Sequence, residues 1–204
     1  MASGQDQDDA RRARARRQGA GARPFRVLGI DPGSRVTGFG VVERQGTATA
    51  HVAHGTIRVP GSQDALAHRL AYVFDEVAAV TERYAPDVAS VEQVFVSASP
   101  RSALVLGQAR GAALVALARA GVTVVEYAPA EIKQCVAGNG RASKDQIQRL
   151  VKRLLELDKI PAEDAADALA AALCHAQAGL GLPRVPRRRR SSGRPSGLRV
   201  RRAP

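Results

Sequence analysis

The sequence predicts an α/β domain built on a mixed five-stranded sheet flanked by helices. Short β-branched runs alternate with longer segments whose apolar residues recur every three to four positions. The first three runs follow one another with short connections, and Gly, Pro and Ser mark the boundaries.

Arg26–Ile30 is a short apolar run ending in Asp-Pro-Gly-Ser, a turn signal. Thr37–Glu43 and Ala50–Val59 follow as β-rich segments, so the three read as an antiparallel meander. From Asp64 to Tyr84, Leu66, Leu70, Val73, Phe74, Val77 and Val80 recur at helical spacing. Val88–Val94 is then a strand, Ser102–Ala120 a helix and Val122–Tyr127 a further strand. A short helix around Ala130–Val136 leads through a Gly-Asn-Gly loop at 138–140 to helices at Lys144–Leu157 and Ala162–Ala178. Strands alternating with helices in this order fit a mixed sheet with helices on its faces.

A chain of 204 residues with 45% hydrophobic residues supports one well-buried domain, not two large lobes. Cys135 and Cys174 make no disulfide framework and no CxxC pair, which suits a reducing cytoplasm and argues against structural zinc. The first 24 residues lack an apolar signal region, and no run approaches a membrane span, so a cytoplasmic protein without membrane contact is expected.

The net charge of +12 is unevenly placed. Residues 183–204 hold nine Arg and no acid, and residues 1–24 hold six Arg and three Asp. Residues 25–182 therefore carry 16 basic and 16 acidic side chains. Residues 1–24 and 181–204 read as disordered basic extensions around one folded domain at 25–180, because they have almost no large apolar residues to offset ordering. Arg187–Arg190 suits phosphate contact through counterion release, and equally a solvated tail.

Four acids stand out. Asp31 ends an apolar strand and precedes Pro-Gly, and Glu92 sits in a strand marked as buried by Val88, Ala89 and Val91. Asp164 and Asp167 lie three apart and share a face of an otherwise small and apolar helix. Each has a plain structural explanation: Asp31 as a turn residue, Glu92 paired with a buried Arg, Asp164 in a first turn favoured by the helix dipole. Together they would repel strongly at reduced dielectric, and a dication resolves that conflict. An all-carboxylate set suits Mg²⁺ or Mn²⁺ rather than zinc. Two such ions about 4 Å apart would activate a water and stabilise the leaving oxygen in phosphodiester hydrolysis.

Five segments in order resemble successive motifs of the RuvC family of Holliday junction resolvases. They are Gly29-Ile-Asp-Pro-Gly-Ser34, Val91-Glu-Gln-Val-Phe95, Ser102-Ala-Leu-Val-Leu-Gly-Gln-Ala-Arg-Gly111, Glu131-Ile-Lys-Gln134 and Asp164-Ala-Ala-Asp-Ala-Leu-Ala170. The likeness spans about residues 25–178. It implies a ribonuclease-H-like fold and a homodimer that nicks opposing strands of a four-way DNA junction with Mg²⁺, two ions per subunit, in recombination and repair. On that pattern Asp31, Glu92, Asp164 and Asp167 are metal ligands and catalytic residues. The family also places Lys133 and Lys144 near the scissile phosphate, where an ammonium offsets developing charge. Phe95 matches a position that stacks on an unpaired base, and a core phenylalanine is the alternative. Arg141 is either a DNA contact from its loop or a solvated loop residue. A branch-migration motor as partner and a thymine-containing cleavage preference follow from the resemblance alone. The long N-terminal arm and Arg-rich tail depart from the family pattern.

The helix Ser102–Ala120 is apolar nearly all round and should be covered on two sides, with Ala103, Gly107 and Gly111 as a smooth stripe. That stripe fits either packing within the monomer or a subunit interface. Among His51, His54, His68 and His175 no metal-ligand spacing stands out, and a structural role is expected for His175. The Ile-Asp-Pro-Gly-Ser turn also resembles the first phosphate loop of actin-like ATPases and sugar kinases, but a second such loop and a second lobe are missing. A non-enzymatic junction-binding protein would have no use for four clustered acids, which weaken phosphate contact unless metal is recruited.

Deleting residues 183–204 should weaken junction binding and flatten its dependence on salt while leaving metal-dependent cleavage in place. Binding isotherms over a salt series check this, and an unchanged slope would assign the tail no phosphate contact.

Overall fold

Strand β1, Phe25–Asp31, is the hub of the computed structural model, which describes residues 23–59, 61, 65–93 and 100–178. Short antiparallel connections lead from it to β2 (Val36–Gln45) and β3 (Ala48–Arg58). Then come α1 (Leu66–Tyr84), β4 (Val88–Glu92), α2 (Pro100–Arg119) and β5 (Thr123–Tyr127). The chain finishes with α3 (Pro129–Ala137), α4 (Lys144–Leu154) and α5 (Glu163–Ala178). The strand order is β3-β2-β1-β4-β5, with β4 parallel to both β1 and β5. This is the mixed five-stranded sheet flanked by helices that the sequence predicts.

Alternation along β1 sorts two cores. Leu28 and Ile30 join Val41, Val73, Val77, Ala113 and Leu117 beneath α1 and α2. Val27 faces the other way, into a core built with Ile132, Ile147, Val151 and the buried side chains of α5. Period-two side chains on a sheet covered by helices on both faces require this division.

Helix α5 is buried along almost its whole length, from Ala165 and Ala166 through Ala168–Cys174. Its alanines let it lie directly on the sheet, and the sheet meets it with glycines. A Cβ on Gly29 would stand 1.9 Å from the Ala168 carbonyl oxygen, and one on Gly38 would stand 1.9 Å from the Asp164 carbonyl oxygen. Both contacts are backbone against backbone, so no rotamer change could relieve them. Ser90 adds a link from β4, its hydroxyl donating to the Ala171 carbonyl at 2.7 Å.

Element ends differ from expectation at several points. Helix α4 stops at Leu154, not Leu157, because Glu156 has a left-handed backbone (φ 51°) that turns the chain. Strand β3 begins at Ala48 and contains a bulge that alternation alone does not reveal. Cys174 is buried, whereas Cys135 is only half-buried. Among the described residues no helix is long and apolar enough to cross a membrane. The two basic extensions lie outside the described residues, apart from Arg23 and Pro24.

Gly38→Ala should destabilise the protein by about 3 kcal/mol or more, since the added methyl meets a carbonyl oxygen. Urea denaturation measures it, and a loss below about 0.5 kcal/mol would show that α5 does not depend on this approach.

Candidate active site

The parallel register of β1 and β4 pairs Ile30 with Val91, which sets the next residues, Asp31 and Glu92, at neighbouring strand ends. Strand alternation turns both toward α5, on the same face as Gly29 and Ser90. On the facing helix, Asp164 lies in the first turn and Asp167 lies one turn on. Because Gly38 pairs with Asp31 and also receives the Asp164 carbonyl, the helix start is fixed against the end of β1.

The four acids act on one another. Burial, and then the charges of Asp167, Glu92 and Asp164, push the Asp31 carboxyl up to about 7. Burial also raises Glu92, as does the charge of Asp167, while Lys144 and Lys133 pull it back. Asp167 is raised mainly by burial and then by Glu163 and Asp164, with the same two lysines opposing. Of the plain explanations, the one that gave Glu92 a buried arginine is replaced by this lysine pair.

Lys144 is the first residue of α4, and a reciprocal cap holds it there. Ser143 Oγ accepts from the Gln146 amide at 3.3 Å, and Gln146 Oε1 accepts from the Ser143 amide at 2.9 Å. Its ammonium pairs with Glu163 and stands 3.9 Å from Asp167 Oδ2. The Glu163 hydrogen bond is the main reason that Lys144 is held above the ordinary lysine range. Lys133 reaches the same field from α3, whose start is fixed by Glu131 Oε2 accepting from the Ala128 amide at 2.7 Å. Lys144 is exposed and Lys133 half-buried, and the charges of both act on Glu92 and Asp167.

Arg141 is exposed in the loop before α4, where its amide donates to Asn139 Oδ1 at 3.0 Å. Phe95 lies outside the described residues. His175 packs between Phe25 and Tyr127, with its Nδ1 2.8 Å from the Tyr127 hydroxyl, and burial holds it below the ordinary histidine range. It is half-buried and held by these two aromatic neighbours. Sequence reasoning passed over Glu163, although it directly precedes Asp164 in the first turn of the helix.

Known proteins align with this arrangement. The family described as crossover junction endodeoxyribonuclease RuvC matches residues 27–175. The chain belongs to the RuvC family. The enzyme of that name from Burkholderia vietnamiensis is 50% identical over 178 residues, 87% of this chain and 97% of that protein. Its counterpart from Methylobacillus flagellatus is 50% identical over 165 residues, covering 79% and 92% respectively. Thermus thermophilus RuvC in complex with Holliday junction substrate superposes with a TM-score of 0.71 at 34% identity, over 76% of this chain and 94% of that one. A yeast mitochondrial Holliday junction resolvase, at 13% identity and a TM-score of 0.54, shares the fold. The fold is ribonuclease-H-like, and the chain is a crossover junction endodeoxyribonuclease.

A nuclease of this family requires a divalent metal ion. The donor set fits one: all its members are carboxylate oxygens, and their mutual repulsion is what a hard cation relieves. Among the described residues no three His, Cys, Asp or Glu side chains stand close enough to hold an ion as placed.

The raised Asp31 makes a prediction about stability. Its folded pKa of about 7 exceeds its ordinary value of 3.8, so Asp31 costs nothing well below pH 3.8, destabilises progressively as pH rises from there to about 7, and costs a constant amount above that. In a chelator at pH 8, Asp31→Asn should therefore be more stable than the parent by roughly 1–4 kcal/mol. The gain should vanish near pH 4. Thermal melts at both pH values test this, and a variant less stable than the parent at pH 8 would contradict the repulsion.

Proposed function

We propose that this chain resolves four-way DNA junctions by Mg²⁺-dependent hydrolysis, using Asp31, Glu92, Asp164 and Asp167 as metal ligands. The observation that supports this reading is the burial of Asp31 beside three further carboxylates on β4 and α5: burial first, and then the charges of Asp167, Glu92 and Asp164, lift it to about 7. Mg²⁺ or Mn²⁺ bound there, two ions per subunit, would supply an activated water and stabilise the leaving oxygen. The residues themselves do the positioning. Asp31 and Glu92 sit on strand ends held by packing on both faces, and α5 presents Asp164 and Asp167 from a helix that cannot shift against the glycines.

Lys133 and Lys144 are placed to offset negative charge as it develops on the phosphate. Both already act on Glu92 and Asp167, lowering those raised carboxyls. Arg141 would contact the backbone from its exposed loop, and Phe95 would stack on a base near the crossover. The Arg-rich segment after residue 180 would add sequence-independent attraction to the 25–180 nuclease domain.

A homodimer is part of the same reading. Helix α2 is covered on one side only: Leu104 is 64% and Val115 52% exposed, and Gly107 and Gly111 border open space among the described residues. The expected cover on its second side would come from a second copy. Paired nicks on a two-fold junction then follow from one site per subunit. A cytoplasmic location and a branch-migration motor as partner complete the reading by family likeness.

Asp31→Asn should bind a synthetic four-way junction about as well as the parent but lose cleavage by at least about a thousandfold in Mg²⁺. Gel-shift and single-turnover cleavage assays separate the two. Equal cleavage by both proteins would remove Asp31 from the metal site.

A further inference from the structure

Strand β3 carries an irregularity that brings two histidines together. Along the β2–β3 ladder Val41 pairs with Ala53 and Val42 pairs with His51, so Val52 is an extra, unpaired residue. A bulge of this kind shifts the side-chain phase by one position. Without it, residues 51 and 54 would point to opposite faces. With it, His54 stands opposite Gly40 and His51 opposite Val42, and both turn to the face covered by α5. Val52 and Ala53 both pack into the other core, as the shifted phase requires. The two rings meet: His51 Nε2 lies 2.8 Å from His54 Nδ1, with ring centroids 4.9 Å apart.

We propose that His51 Nε2 and His54 Nδ1 form a second metal site, separate from the carboxylates, for a nitrogen-preferring first-row ion such as Ni²⁺ or Cu²⁺. Bonds of about 2.0–2.1 Å from two nitrogens to one ion set those nitrogens about 2.9 Å apart at a right angle and about 3.4 Å apart at a tetrahedral angle. The observed 2.8 Å is that of a hydrogen bond between the rings and lies near the right-angle separation, so modest ring rotations turn both lone pairs onto one octahedral or square-planar ion. Imidazole is also the preferred donor of these ions, whereas Mg²⁺ seeks carboxylate oxygen, so ion chemistry distinguishes the two sites.

The surroundings admit an ion. The pair lines a cavity of about 740 Å³ together with Glu156, Asp158 and Lys159 from the turn after α4. The two acids draw a cation in and the lysine partly opposes them. Burial keeps both rings below the ordinary histidine range, so they are ready as neutral ligands. Each neutral ring carries one N–H. The proton now shared between the rings moves to the far nitrogen of its own ring when both lone pairs face the ion, and no charge changes. Among the described residues no third His, Cys, Asp or Glu completes the set, so water fills the remaining positions. Gly40 separates His54 from Gly29 on β1, which puts the pair about 10 Å across the sheet from the strand that bears Asp31.

Titration calorimetry of the full chain with Ni²⁺ tests the site, alongside His51→Ala, His54→Ala and Asp31→Asn. The parent and Asp31→Asn should each bind one Ni²⁺ at this site, and either histidine variant should bind at least about tenfold more weakly. Nitrogen NMR of the parent should show the His51 Nε2 and His54 Nδ1 resonances broadening together as paramagnetic Ni²⁺ is added, a readout that does not depend on the variants folding. Undiminished binding in both histidine variants, loss of the site in Asp31→Asn, or unperturbed ring nitrogens would each overturn the proposal.

Discussion

Helix α5 lies on the sheet with its own carbonyl oxygens where side chains of β1 and β2 would otherwise stand, and this close approach sets the geometry of everything near it. At Gly29 and Gly38 the separation leaves no room for a methyl group. An α-helix with alanines at almost every inward position can come this near, and a longer side chain on either partner would lift it away. The same contact anchors Asp164, because its carbonyl is the atom that Gly38 receives, and Gly38 is paired with Asp31. The spacing between the helix acids and the strand acids is therefore set by backbone contact.

That rigidity is what makes the electrostatics tolerable. Four carboxylates near one another would move apart if their elements could slide, and the protein would relax the repulsion instead of retaining it. The sheet and α5 do not allow this, and burial, together with the neighbouring charges, leaves Asp31 raised. The domain from residue 25 to 182 is formally neutral, which means that the local negative field is not an overall property of the surface. The chain's excess of positive charge lies elsewhere in the sequence, chiefly in the arginines after residue 183.

Much of this was legible in the residues. The alternation of short β-branched runs with helical periods gave the sheet and its order, because each element buries a face with the matching period. The acids could be picked out because each sits among small or apolar neighbours, where an unpartnered charge is costly. The glycine approach was harder to see, since Gly29, Gly38 and Gly40 look like ordinary strand-weakening residues until the helix opposite is known. The bulge at Val52 was hidden for another reason. A strand and a bulged strand have nearly the same composition, and only the partner's register shows that one residue is extra. The end of α4 was missed because Leu155 and Leu157 continue an apolar pattern that the backbone of Glu156 interrupts.

Lys144 shows how such a site can announce itself as a local contradiction. A cation at the first position of a helix faces the positive end of the helix dipole, the least favourable place for it. The sequence nevertheless builds a strong start at that point, with Ser143 and Gln146 bonded reciprocally, so the helix begins there despite the lysine. What offsets the conflict lies across the structure, on Glu163 and Asp167 of α5. Glu163 is in turn at the positive end of its own helix, where the dipole favours a negative charge, whereas Asp167, one turn on, is raised by burial and gains from the ammonium. Residues that break a local rule and are compensated by a distant element are expected at functional positions, because only the assembled site satisfies them. Lys144 meets that description on both counts, and it does so without reference to any other protein.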